Sequence, residues 1–168
     1  MFRFRSIAFA VIAAIALALH PGGASAQTSS LGSDGYTRTI WIGTDGSISL
    51  WKLDAALNFV ESRNYGPYPG WRPIALMTTP NNTSYVLWNF TDDTATIWVV
   101  DANLNFVTSR NFGPIVDWTA VALGLDINGN LRLSWKSTLG QLSQWTFDAS
   151  LNVIAYSPIY GPYFGWIN

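Results

Sequence analysis

The sequence predicts an all-β protein built from three four-stranded antiparallel units, and three observations carry that prediction. Nine tryptophans recur at a fixed period. No segment after residue 26 shows a 3.6-residue apolar period of useful length. Short alternating runs are instead separated by Gly, Pro, Asn and Asp, the residues that turn a chain between strands.

The tryptophans fall at Trp41, Trp51 and Trp71, then Trp88, Trp98 and Trp118, then Trp135, Trp145 and Trp166. Each set is displaced from the one before by 47 residues, with a shift of 48 for the last position. Asp54, Asp101 and Asp148 keep the period, as do Leu57, Leu104 and Leu151, and Asn58, Asn105 and Asn152. Tyr65-Gly66-Pro67 is answered by Phe112-Gly113-Pro114 and Tyr160-Gly161-Pro162. The units run over about residues 27–71, 72–118 and 119–166.

The third unit shows the elements in order. Thr119 to Leu125 is an apolar strand, closed by Asp126-Ile127-Asn128-Gly129, whose Asn-Gly favours a tight hairpin. Leu131 to Trp135 follows, then a turn through Thr138-Leu139-Gly140. Leu142 to Phe147 alternates, Asp148 to Asn152 turns, and Val153 to Tyr160 makes the fourth strand. A Gly-Pro-x-x-Gly-Trp connection ends the ladder, since proline has no N–H to donate. In the first two units Thr44-Asp45-Gly46 and Thr91-Asp92-Asp93 make the corresponding turns. The first strand of the first unit, Thr28 to Leu31, is more polar than Pro73 to Met77 and Ala120 to Leu123, so fraying is expected there.

Residues 1–26 read as a signal peptide. Arg3 and Arg5 precede the 13-residue apolar run Ile7 to Leu19, and Ala24-Ser25-Ala26 offers a cleavage site before Gln27. The run is short of the roughly 20 residues that span a bilayer. Export, to the periplasm or the extracellular space, leaves a mature chain of 142 residues with no membrane span. Losing Arg3 and Arg5 from nine basic residues leaves seven, against ten acidic ones. Without a basic cluster, nucleic acid is not an expected partner.

Two absences narrow the chemistry. There is no Cys, and the only His, His20, leaves with the signal peptide. A Ser-His-Asp triad, a thiolate nucleophile and a His-bearing zinc site are excluded, and no cofactor or metal is expected. Glu61 is the only Glu, so paired carboxylates for glycoside hydrolysis are hard to assemble. The mature chain reads as non-catalytic.

Two architectures suit such units. In a β-propeller each unit is one blade, and the innermost strand favours small residues, a role that Thr119 to Gly124 fits. The apolar strand, Asp-x-x-Gly turn and second strand resemble blades of the NHL type. The alternative is a single β-trefoil, for which three copies is the natural count. The paired Trp41 and Trp51 resemble the ricin-type lectin repeat. That family's Gln two positions before the second Trp is absent, since Ser49, Thr96 and Ser143 stand there. Over residues 37–166 the Trp-rich units ending in Tyr-Gly-Pro-x-x-Gly-Trp also resemble tandem repeats of secreted proteins from soil and aquatic bacteria, which carry no established activity. Three blades cannot close a ring, so blades imply self-association, for instance two chains giving six.

The first six tryptophans are expected to be core, paired across the hairpin on one face. Trp71, Trp118 and Trp166 are expected in connections beside Gly and Pro. There, with Tyr65, Tyr68, Tyr160 and Tyr163, they are the candidate ligand-binding residues, because an indole stacks on the C–H face of a sugar and a phenol offers a hydroxyl. Asp117 joins them as the carboxylate unmatched in the other units, where Gly70 and Gly165 stand. Arg63 and Arg110 match each other, become Ser157 in the third unit, and read as solvent-facing strand residues. The expected function is a lectin-like module with up to three equivalent sites for a glycan or cell-surface polysaccharide. A structural, self-assembling repeat protein is the alternative.

Overall fold

The computed structural model describes residues 28–165; the segment expected to be a signal peptide, residues 1–26, and Trp166 lie outside the described residues. Twelve strands form three separate antiparallel sheets, each with its strands in sequential order. Blade 1 contains β1 (Ser29–Leu31), β2 (Thr37–Ile42), β3 (Ile48–Leu53) and β4 (Phe59–Tyr65). Blade 2 contains β5 (Trp71–Thr78), β6 (Ser84–Phe90), β7 (Ala95–Val100) and β8 (Phe106–Phe112). Blade 3 contains β9 (Trp118–Leu125), β10 (Leu131–Ser137), β11 (Leu142–Phe147) and β12 (Val153–Tyr156). No helix occurs among the described residues. The sheets do not close into a barrel, so the blade architecture holds and the trefoil alternative does not.

The strands follow from their alternation. In β3 the side chains of Ile48, Leu50 and Lys52 are buried while Ser49, Trp51 and Leu53 are partly exposed, the period of two that a pleated strand imposes. The polar β1 does form: Ser30 pairs with Arg38 in the ladder, and its hydroxyl accepts the Thr78 N–H at 2.8 Å from blade 2. The fourth strand of blade 3 is shorter than expected, ending at Tyr156, with Tyr160 making an isolated bridge to Leu142.

The aspartates that open the turns between third and fourth strands cap backbone amides. Asp101 Oδ1 accepts from Asn103 N (2.9 Å) and Asn105 N (2.8 Å), and Oδ2 accepts from the Asn105 amide at 3.0 Å. Asp54 and Asp148 repeat this with Asn58 and Asn152. The residue before each Asn is a left-handed leucine, with φ of 64°, 65° and 61° at Leu57, Leu104 and Leu151. This conformation costs an L-residue about 1–2 kcal/mol. At Leu104 and Leu151 the side chain enters the core, which offsets that cost.

The blades stand side by side, with β1 against β5 and β5 against β9, so the first strands face one another as expected. Burial is concentrated between blades. Ile40, Ile48 and Leu50 of blade 1 meet Leu76, Val86, Trp88, Val100 and Leu104 of blade 2. Leu87 and Ile97 of blade 2 meet Leu133, Trp135, Phe147 and Leu151 of blade 3.

Polar bonds register the joints. Arg38 is fully buried, paired with Asp34 at 2.6 and 2.8 Å and reaching the Ala102 carbonyl at 3.4 Å. The two arginines read as solvent-facing are exposed, and each also bonds to the next blade. Arg63 Nε donates to Asn105 Oδ1 at 3.4 Å; Arg110 Nη1 donates to Asn152 Oδ1 at 2.6 Å and the Leu151 carbonyl at 3.0 Å. Both project from a fourth strand, which lies beside the neighbour's capped turn, and periodicity within one unit does not reveal that neighbour.

Candidate functional site

The site begins with the tryptophan pair of each blade. In blade 2, Trp88 lies opposite Thr96 and Trp98 opposite Val86, so the two indoles are diagonal neighbours on one face of the β6–β7 ladder. Their centroids are 4.8 Å apart, and those of Trp135 and Trp145 in blade 3 are 4.9 Å apart. The connection leaving one blade crosses over the pair of the next. Tyr68 stands edge-on to Trp88 (5.9 Å) and Trp98 (5.3 Å), and Tyr65 edge-on to Trp98 (5.6 Å).

This crossing leaves a pocket at each joint. At the first, a cavity of about 190 Å³ is walled by Tyr68, Trp71, Trp88 and Trp98 and edged by Thr96, Ser109 and Asn111. At the second, a cavity of about 190 Å³ is walled by Ile115, Trp118, Trp135 and Trp145, with Ser143 and Ile159. Five lining positions correspond across the 47-residue period, Tyr68 to Ile115, Trp71 to Trp118, Trp88 to Trp135, Thr96 to Ser143 and Trp98 to Trp145, while Ser109, Asn111 and Ile159 have no counterpart in the other lining. The first pocket is the more polar, because Tyr68 faces it where the second has Ile115. Trp88 and Trp135 bury indole N–H groups with no hydrogen-bond partner in the protein. A buried unpaired donor carries a penalty of about 1–3 kcal/mol.

The structure divides the expected site residues into three groups. Tyr68, Trp71 and Trp118 line the pockets, although Trp71 and Trp118 are the first residues of β5 and β9 and not part of the connections. Tyr65 is committed to the joint: its hydroxyl donates to the Leu104 carbonyl at 2.6 Å and accepts the Phe106 N–H at 3.0 Å. Tyr160 and Tyr163 are exposed on the far side of blade 3, and Trp166 lies outside the described residues. Asp117 has φ 67°, matching Gly70 (82°) and Gly165 (81°), and its carbonyl accepts the Thr138 N–H at 2.9 Å. Its position is set by the left-handed backbone, which Asp tolerates better than most residues.

Four pocket-wall indoles, Trp88, Trp98, Trp135 and Trp145, were expected only as core. The signal in the sequence is the small hydroxyl residue eight positions on, Thr96 or Ser143, which faces Trp88 or Trp135 across the ladder. A hydroxyl opposite an indole leaves room and a polar edge that an aliphatic partner would fill. Trp41 departs from expectation in the other direction: it is exposed, because no blade covers its face.

Ionisable groups stand apart from the pockets. Glu61 is engaged on blade 1 by Lys52 (3.3 Å) and Arg63 (3.6 Å). The Asn152 side chain, with backbone amides, holds the Asp148 carboxyl below the usual carboxylate range, and Asn58 does the same for Asp54. Among the described residues no group of three His, Cys, Asp or Glu side chains could hold a metal ion.

No family model matches the chain, and no curated protein is significantly similar to it in sequence. Solved structures do resemble its fold. A protein of unknown function from Bacteroides caccae aligns with a TM-score of 0.51 at 8% identity, over 79% of this chain and 45% of that one. A eukaryotic initiation factor aligns at 0.53 and 15% identity, over 78% and 32%. A triple-arginine mutant of AofleA from Arthrobotrys oligospora aligns at 0.51 and 17% identity, over 80% and 42%. The chain spans less than half the length of each of these proteins.

Proposed function

We propose that the protein is a secreted, non-catalytic binding module that takes carbohydrate, in the manner of a lectin, at its blade joints. The observation that supports this most is the recurrence of one pocket at both joints, walled by Trp71, Trp88 and Trp98 and again by Trp118, Trp135 and Trp145. Flat indole faces suit the C–H face of a sugar ring. Thr96, Ser109, Asn111 and Ser143 suit its hydroxyls. A cavity of about 190 Å³ accommodates about one monosaccharide ring, so single-site affinity is low and repetition multiplies it. A glycan array probed with the mature protein tests the reading. Binding that Trp71→Ala and Trp118→Ala each weaken supports it; a folded protein that binds no glycan on the array refutes it.

A further inference from the structure

We propose that two copies of this chain close head to tail into one six-bladed ring, blade 3 of each docking on blade 1 of the other. The two internal joints define what a blade needs on the face it turns to its predecessor. Trp88 and Trp135 are each 1% exposed there, whereas Trp41 is 53% exposed. Leu104 and Leu151 are 1% and 2% exposed, whereas Leu57 is 68% exposed. Leu57 nonetheless keeps the left-handed backbone of the other two, with φ 64°, and so carries its cost without burial in a single chain. Phe59 is exposed beside it.

The complementary half lies on blade 3. Tyr160-Gly161-Pro162-Tyr163 repeats Tyr65-Gly66-Pro67-Tyr68 residue for residue, while blade 2 has Phe112-Gly113-Pro114-Ile115. At the first joint Tyr65 holds the Leu104 carbonyl and Phe106 N–H, and Tyr68 covers the Trp88–Trp98 pair. Tyr160 and Tyr163 are 49% and 46% exposed with no blade to cover. Transposed by the repeat, Tyr160 reaches the Leu57 carbonyl and Tyr163 covers Trp41 and Trp51.

Ring size follows from the blade count. Propellers have about four to eight blades, and two sets of the three described blades make six, within that range. A heterologous contact that closes forms a ring. The new joint is weaker than the internal ones. Ser134 and Gln144 stand where Ile40 and Leu87, and Leu50 and Ile97, fill the internal joints, and Ser157 replaces the latch arginine.

Sedimentation of the mature chain over a concentration series tests the proposal. The expected result is a reversible monomer–dimer equilibrium. Tyr163→Asp and Trp41→Arg, one on each half, should each raise the dissociation constant at least tenfold while the circular dichroism spectrum is unchanged. Thr91→Asp, on the exposed β6–β7 hairpin of blade 2 and so away from both halves, should leave it unaltered. Mixing the two defective variants should restore part of the association, since one intact joint then forms. A monomer at every concentration overturns the proposal. So does assembly beyond two copies, or a dimer that Trp41→Arg breaks and Tyr163→Asp does not, which would be packed face to face.

Discussion

Leu104→Gly and Leu57→Gly make the same substitution at equivalent positions, and the structure assigns them opposite signs. At both, glycine relieves the left-handed backbone, a gain of about 1–2 kcal/mol. Leu104 is fully buried between blades 1 and 2, and truncating a buried leucine even to alanine costs about 2–5 kcal/mol through lost transfer energy and the cavity left behind. The net expectation at Leu104 is a loss of about 1–3 kcal/mol. Leu57 has no such burial within one chain, so the backbone gain stands alone and stability should rise by about 1 kcal/mol. Urea unfolding followed by tryptophan fluorescence measures both. The Tyr163→Asp background removes any contribution from association. Stability at Leu104→Gly equal to or above that of the parent would refute the view that inter-blade burial outweighs strain there. A loss at Leu57→Gly matching that at Leu104→Gly would refute the assignment of burial to the joint.

Asp34→Ala leaves the buried guanidinium of Arg38 without its carboxylate and should cost about 3 kcal/mol in denaturant unfolding, the lower end for a broken buried pair because Asp34 is partly exposed. Arg110→Ala removes two inter-blade hydrogen bonds from a largely exposed side chain; a loss of about 1 kcal/mol is expected, read as a lowered urea midpoint. Asp148→Asn should lower the melting temperature at pH 7 by weakening the acceptor of the Ser150 and Asn152 amides. The Asp148 carboxyl has a folded-state pKa below its unfolded value, so its contribution is present above about pH 4 and is lost as pH falls through the folded value. The melting temperatures of Asp148→Asn and the parent should therefore converge on acidification, and a constant gap down to pH 2 would contradict this.

Much of the site was legible in the residues. The period located Trp71, Trp118 and Tyr68, and their position beside Gly70 or Asp117 placed them where one blade passes to the next. The second wall was not legible in the same way. Trp88 and Trp98 satisfy every local criterion for core, and only the crossing of the preceding connection turns their shared face into a pocket floor. Arg63 and Arg110 are exposed strand residues as expected, but their inter-blade bonds were not legible, for a related reason. Each sits on an exposed-looking fourth strand, and its acceptor lies 42 residues away in the neighbouring turn.

The amino-acid sequence by itself determined the number of units, their all-β character, and the turn chemistry of Asp54, Asp101 and Asp148. These depend on local backbone preferences and on alternation within a few residues. The tertiary structure alone decided what each repeated residue does. Trp41, Trp88 and Trp135 are identical in type, register and hairpin, yet one is exposed and two are buried. Burial is a property of the joint between blades, and a joint exists only where a second blade stands.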